Sequence, residues 1–169
     1  MPTPARILVA ALLCVVLALL PAAGPTAAVD DRPPPAWVWP LEGFSVSQPY
    51  RAPAHDYAAG HRGIDLLPRG GSEPRSPAAG VIAFAGSVAG RPVVTIDHGD
   101  GLVTTLEPVT GLLPPGTAVS QGQAVGLLGS GGHVGDAGLL HFGVRRDGRY
   151  INPTLLLGGV PRAVLLPCC

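Results

Sequence analysis

Short runs rich in Val, Ile, Leu and Thr alternate with Gly and Pro from Trp37 to Val144, and no window there keeps a helical period. Runs of this length bounded by turn residues are typical of strands. The clearest runs predict strands over Gly80–Ala85, Pro92–Asp97, Leu102–Leu106 and Leu139–Val144. The pattern therefore predicts a mostly β fold: a single small antiparallel sheet or sandwich-like domain.

Turn residues separate these runs. His98-Gly99-Asp100-Gly101 forms a glycine-rich turn between two predicted strands. Asp147-Gly148 is the commonest signal for a two-residue hairpin. The segment 129–132 (Gly-Ser-Gly-Gly) predicts a loop before the strand that carries His141, and such loops often line functional sites.

The N-terminus has the order of regions found in secretory signals. Arg6 is followed by an apolar run over residues 7–20 and by a small-residue stretch over 21–28. We expect a signal peptide over 1–28, cleaved after Ala28, and hence a secreted, extracytoplasmic protein. The alternative is an uncleaved signal that anchors the chain in the membrane.

The remaining chain has the usual size of one domain. Residues 29–36, with three consecutive prolines, predict a stiff spacer. We expect the folded domain over 37–157 and a C-terminal tail over 158–169, with the chain acting as a monomer.

Charge and cysteine content narrow the function classes further. The formal net charge is zero, and the eleven basic residues are arginines spread along the sequence. Nucleic-acid binding needs a basic patch, so we exclude nucleic acid as a partner. Of three cysteines, one lies in the predicted signal and two are adjacent, Cys168 and Cys169, so no disulfide framework is expected.

A metal pair is suggested by Gly60-His61-Arg62-Gly63-Ile64-Asp65. On a straight strand, residues four apart stand about 13 Å apart, too far to share one ion. A bend at Gly63 would place His61 on a loop and Asp65 on the next strand, so that both reach one point. Zinc accepts both histidine nitrogen and aspartate oxygen as ligands. His141 is the candidate third ligand because it interrupts an otherwise apolar strand. Taken alone, a strand histidine is more often a satisfied core residue.

In combination, the motifs resemble the lysostaphin-type or LytM-type zinc metallopeptidases, which cleave peptide cross-links in bacterial peptidoglycan. The resemblance covers roughly residues 37–155. It implies the LytM (duplicated hybrid motif) fold, one Zn²⁺ held by His61, Asp65 and His141, and a structural role for the turn histidine His98. It rests on five landmarks: Gly60–Asp65, Ala79–Gly86, Ile96–Gly101, Gly122–Gly126 and Leu140–Phe142.

Two departures from the family pattern concern auxiliary histidines. Family members that cut peptide bonds usually have a histidine two residues before the last ligand, where this chain has Leu139. The second histidine follows an aromatic residue, and here Pro108 and Leu106 occupy those places. A positioned acid–base group raises the rate of catalysis by roughly 10²- to 10⁴-fold. Loss of both histidines should therefore cripple peptide hydrolysis unless other residues replace them.

Glu107 and His133 are the candidate replacements for these auxiliary histidines. The alternatives without chemistry are a solvent-facing position at a strand end for Glu107 and an ordinary loop residue for His133, and His55 is left without a role.

Two functions follow. The first is a secreted zinc metalloendopeptidase acting on peptidoglycan peptides. The second is a catalytically silent module of the same fold that binds zinc, the wall or other wall hydrolases, which the residues Leu139 and Pro108 favour.

Overall fold

The computed structural model describes residues 36–55, 57–70, 73–129 and 138–158, all of which fall in one compact unit. The described residues form ten strands and one short 3-10 helix, Pro153–Leu155. The strands are β1 Phe44–Gln48, β2 Ile64–Pro68, β3 Gly80–Val88, β4 Arg91–Asp97, β5 Leu102–Glu107, β6 Val109–Gly111, β7 Ala118–Val119, β8 Gly126–Leu128, β9 Leu140–Arg146 and β10 Arg149–Ile151. The prediction of a mostly β fold is confirmed.

The main sheet has the strand order β1-β2-β9-β5-β4-β3-β7, with β10 also paired to β9, and every pairing in it is antiparallel. β6 and β8 form a second, two-stranded sheet. In the main sheet β9 is central: β5 pairs with one of its edges, while β2 and then β10 pair with the other. This arrangement brings chain segments about 75 residues apart, such as those around Asp65 and His141, side by side.

The four predicted strands are present, with ends that differ by at most three residues. The hairpin predicted at Asp147-Gly148 is also present, since Arg146 pairs with Arg149 across it. Its two central residues have φ values of 50° and 79°. Positive φ at both positions is what the tightest hairpin turn needs, which explains the Asp-Gly pair.

One face of the main sheet forms the core. Alternate residues of the central strands, among them Leu106, Phe142 and Val144, are completely buried there. The short second sheet packs against this face: a Cβ added at Gly111 of β6 would stand 2.9 Å from Cβ of Ala85 in β3. The domain is therefore two-layered, and the opposite face of the main sheet is left to carry a site.

His98 fastens the turn between β4 and β5 to its surroundings. Its Nδ1 donates to the Ala79 carbonyl at 2.9 Å, and its Nε2 lies 2.8 Å from the Thr104 hydroxyl. The ring also packs against Trp37, with centroids 4.5 Å apart. Burial lowers the pKa of His98 below its ordinary value, and a smaller opposing effect comes from the Ala79 bond and the Asp97 charge. These contacts are those of a structural residue.

Several predictions fall outside the described residues: the signal over 1–28, the spacer except Ala36, His133, and the tail beyond Gly158 with Cys168 and Cys169. Within the described ranges, the structure contains no helix with the length and apolar character needed to cross a membrane.

Candidate metal centre

The three predicted ligands come together on the open face of the main sheet. Asp65 lies on β2 and is the direct partner of His141 on β9, so both side chains leave the sheet on the same side. His61 precedes β2 and is held by two backbone hydrogen bonds with Arg51, of 2.8 and 3.0 Å. The expected arrangement, a loop histidine next to a strand aspartate, is the one observed.

One ring nitrogen of each histidine lies close to the same carboxylate oxygen. Nε2 of His61 lies 3.1 Å from Oδ1 of Asp65, and Nδ1 of His141 lies 2.8 Å from the same atom. One ligand atom from each of the three residues lies within 4.8 Å of the others. Asp65 is fully buried and His61 nearly so, at 0% and 9% exposure. Such a buried cluster of two imidazoles and a carboxylate is a typical cation-binding arrangement.

Gly63 makes this convergence sterically possible. A Cβ at this position would stand 2.6 Å from Cε1 and Nε2 of His141 and 2.6 Å from the Phe142 carbonyl oxygen. Real Cβ atoms do not come that close to other heavy atoms, so any larger residue would displace the imidazole or the strand. The bend predicted at Gly63 is thus also the place where His141 lies against the backbone.

A hydrogen bond to a backbone carbonyl orients the His61 ring. Nδ1 of His61 lies 2.8 Å from the Pro49 carbonyl oxygen, which can only accept, so Nδ1 carries a proton. In the neutral ring, Nε2 then offers its lone pair toward Oδ1 of Asp65. The two atoms stand 3.1 Å apart, so a metal ion bound between them could take the lone pairs of both. Such carbonyl-oriented histidines are usual around metal ions.

The donor set fits zinc. Ligands at about 2.0–2.2 Å from a tetrahedral zinc ion stand roughly 3.3–3.5 Å from one another. The two separations from Oδ1 of Asp65, 3.1 and 2.8 Å, are slightly shorter than this, and all three ligand atoms lie within 4.8 Å of one another, so small movements of the imidazoles would accommodate the ion. With zinc bound, a His₂Asp set would leave one position for water or substrate, as in catalytic zinc sites.

Leu139 and Pro108, at the two auxiliary positions, are both buried. Leu139 is 7% exposed, yet it lies outside the core cluster that the described residues form. It lies two residues before His141 and immediately before β9, so an extended backbone there would put it on the same face as His141. Leu106, at the aromatic position, is wholly within the core. Neither Leu139 nor Pro108 has a side chain that transfers protons.

Glu107 belongs to the same face of the sheet. It is the direct partner of His141 across the β5–β9 ladder, as Asp65 is across the β2–β9 ladder. Its side chain is 17% exposed and forms an ion pair with Nε of Arg91 on β4. The side chain is therefore mostly covered rather than turned to solvent, and a catalytic role for Glu107 stays a prediction. The pairing of β5 with β9 spans more than thirty residues, and for this reason sequence spacing could not reveal it.

The fold and this site define the class of the protein: a small antiparallel β protein with a buried His/Asp/His group of the metal-binding type. The chain belongs to peptidase family M23, since the model of that family matches residues 59–153, more than half of the chain. This match confirms the resemblance to the lysostaphin-type metallopeptidases.

Among curated proteins, the chain is similar to uncharacterized proteins of Mycobacterium tuberculosis (strain H37Rv) and Mycobacterium bovis. Each is 35% identical over 136 residues, covering 77% of this chain and 51% of the relative. The chain thus spans about half the length of the curated relatives that it matches.

Solved structures share the fold. Csd3 of Helicobacter pylori superposes with a TM-score of 0.61 and 28% identity, over 74% of this chain and 35% of that one. The catalytic domain of the antimicrobial peptidase lysostaphin from Staphylococcus simulans gives 0.57 and 20%, over 68% and 92%. SpoIIQ, from the SpoIIQ–SpoIIIAH pore forming complex, gives 0.61 and 23%, over 72% and 90%. The last two likenesses show the fold alone.

Proposed function

We propose that this protein is a zinc metalloendopeptidase that acts on peptide cross-links of bacterial peptidoglycan outside the cytoplasm. The observation that carries the proposal is the convergence of His61 and His141 nitrogens on one buried oxygen of Asp65. Membership of family M23 supports the same reaction class. Export rests on the expected signal over 1–28, and the partner we propose is the wall itself.

Three atoms would hold the ion: Nε2 of His61, Oδ1 of Asp65 and Nδ1 of His141. A bound zinc ion supplies Lewis-acid chemistry, polarising a peptide carbonyl and activating water. The chain itself fixes the ligands: Pro49 sets the tautomer of His61, and Gly63 gives His141 its place. Burial of Asp65 strengthens its attraction for a cation.

Proton transfer has to come from a residue other than the missing histidines. Glu107 is the carboxylate on the site face, one strand across from His141. We propose it as the acid–base group, with Arg91 holding it in place through their ion pair.

The test is release of soluble peptide from purified peptidoglycan by the zinc-loaded protein, beside an Asp65→Ala variant. Wild type should release peptide and the variant should not, because a buried ligand and its charge are lost. Glu42→Ala is the control, since it removes a carboxylate whose side chain is 81% exposed and which pairs with Arg75. Equal release by wild type and Asp65→Ala would refute the metal-dependent reaction.

A second candidate is a catalytically silent module that binds the wall or a wall hydrolase. Leu139 and Pro108 favour it, because both auxiliary proton-transfer positions hold apolar residues. The SpoIIQ fold neighbour occurs in a pore forming complex, so a partner-binding use of this fold has a precedent. This candidate predicts zinc-loaded protein that sediments with peptidoglycan without releasing peptide. Failure to sediment with the wall or to capture a purified wall hydrolase would count against it.

A further inference from the structure

A cavity separate from the His/Asp/His cluster opens beside it. Its volume is about 640 Å³, and it lies between the loop that follows β1 and the β9–β10 hairpin. Volumes of this order are usual for sites that take small ligands. Its lining includes two tyrosines, two arginines, a histidine and a proline: Tyr50, Tyr150, Arg62, Arg149, His55 and Pro53.

The walls of this cavity are fixed by hydrogen bonds. The Tyr50 hydroxyl donates to the Tyr150 carbonyl at 3.2 Å and ties the two walls together. Gly60 lets the loop fold tightly, since a Cβ there would stand 2.8 Å from the Arg51 carbonyl oxygen and 2.9 Å from the Pro53 nitrogen. The cavity therefore exists before any ligand arrives, which lowers the entropic cost of binding.

The cavity is basic and aromatic. Arg62 and Arg149 line it, and the described lining residues include no aspartate or glutamate. Arg62 donates to the Ala58 carbonyl at 3.3 Å. Arg149 is exposed, and within the described part of the chain it makes no ion pair. A third cation lies close by, since the Arg145 guanidinium is 5.9 Å from the centroid of the Tyr150 ring. The arginines are spread along the sequence as a whole, but the β9–β10 hairpin brings Arg145 and Arg149 close to this one cavity.

The cavity borders the proposed metal centre. A Cβ at Gly143 would stand 3.6 Å from Nε2 of His141 and 3.6 Å from Cε1 of Tyr150. The imidazole of the cluster and the aromatic wall of the cavity therefore meet above one glycine. A peptide held in the cavity by one end would have its neighbouring amide bonds near the cluster.

We propose that this cavity binds the free carboxylate end of a wall peptide, with the Arg149 guanidinium as the anion-binding group and the tyrosines as the apolar walls. Arginine binds carboxylate through two parallel hydrogen bonds, which gives direction as well as affinity. This inference rests on the proposed function only in taking the bound peptide to come from the cell wall. It predicts that the cavity binds peptides with a free terminal carboxylate more tightly than amidated peptides.

The test measures binding rather than turnover. N-acetyl-D-Ala-D-Ala and its C-terminal amide are titrated into the purified protein by calorimetry, with and without zinc. We expect the acid to bind at least roughly tenfold more tightly than the amide, as for the loss of one charge-assisted hydrogen bond. Arg149→Gln should abolish that difference.

Arg146→Gln is the matched control, because Arg146 is the cross-strand partner of Arg149 but does not line the cavity. It should leave the preference for the acid intact. Equal affinity for acid and amide, or an equal loss in both arginine variants, would overturn the proposal. Displacement of the peptide by equimolar inorganic phosphate would also overturn it, in favour of a phosphate-bearing wall polymer.

The same titration with Asp65→Asn separates this inference from the proposed function. The preference for the acid should persist when the ligand cluster is disabled, because Arg149 and not the metal binds the carboxylate. If the preference disappears in Asp65→Asn but persists in Arg149→Gln, the carboxylate binds at the cluster and the cavity assignment is wrong.

Discussion

Glu107 and His141 are direct partners across the β5–β9 ladder, and their side chains leave the sheet on the same face. Asp65 is the partner of His141 on the other side. Three adjacent strands thus carry a row of carboxylate, imidazole and carboxylate. The Asp65 carboxylate contacts both histidines of the cluster, whereas the Glu107 carboxylate is paired with Arg91. The two carboxylates consequently have different surroundings, as the proposed ligand role of Asp65 and acid–base role of Glu107 require.

The first prediction concerns Glu107. Glu107→Gln should lower peptide release by roughly 10²-fold, the lower range for loss of a positioned acid–base group, while bound zinc stays at the wild-type level. Release and zinc content are measured on the same preparations. Glu42→Gln serves as the control, and an unchanged rate in Glu107→Gln would show that another residue transfers the proton.

A second prediction concerns Leu139. Leu139→His restores an imidazole two residues before His141, on the same side of the chain, and should raise peptide release by roughly 10²-fold. Leu139→Asn is the control, because it adds polarity of similar size without a titratable nitrogen. A similar increase in both variants would indicate that the gain comes from wetting the site rather than from proton transfer.

Local patterns explain why much of the fold could be predicted. The strands around Ile82, Ile96 and Leu106 lie in consecutive hairpins, whose turn residues mark them in the sequence. Strands β6, β7 and β8 contain only two or three residues, too few to show alternation, and were not predicted. Their place is set by packing on the core.

Some features of the candidate site likewise depend on local sequence, whereas others depend on contacts between distant segments. The approach of His61 to Asp65 depends on a local bend at Gly63, so spacing could suggest it. By contrast, the place of Glu107 beside His141 depends on the register between β5 and β9, and the cavity depends on a hairpin packing against a distant loop. Long-range register of this kind is not encoded in the spacing of residues along the chain.

The third prediction tests the close approach at Gly63. Gly63→Ala should weaken zinc binding and reduce the free energy of unfolding by about 1–3 kcal/mol, the usual cost of forcing an extra methyl group into a packed site. Zinc affinity and urea unfolding report the two effects. Gly70→Ala is the matched control, because a Cβ there would have no heavy atom within 4 Å. Equal behaviour of the two variants would mean that the His141 ring does not need the space at Gly63.

The last prediction uses the lowered pKa of His98, which results first from burial. In the unfolded chain this imidazole takes up a proton as the pH falls through about 6.5, whereas in the folded domain it resists protonation until a lower pH. Between these two pH values the unfolded state binds more protons, so acidification favours unfolding. The free energy of unfolding should therefore decrease as the pH falls below about 6.5 and level off once the folded-state ring is also protonated.

Urea unfolding of zinc-free protein between pH 5 and 8 measures this contribution. His98→Gln should show a shallower dependence on pH, since an amide can donate to Ala79 and accept from Thr104 without titrating. The difference in slope should stay below about 1.4 kcal/mol per pH unit, the value for one full proton, because the ring keeps some solvent contact. Parallel curves for wild type and His98→Gln would show that His98 is not the source of the acid sensitivity.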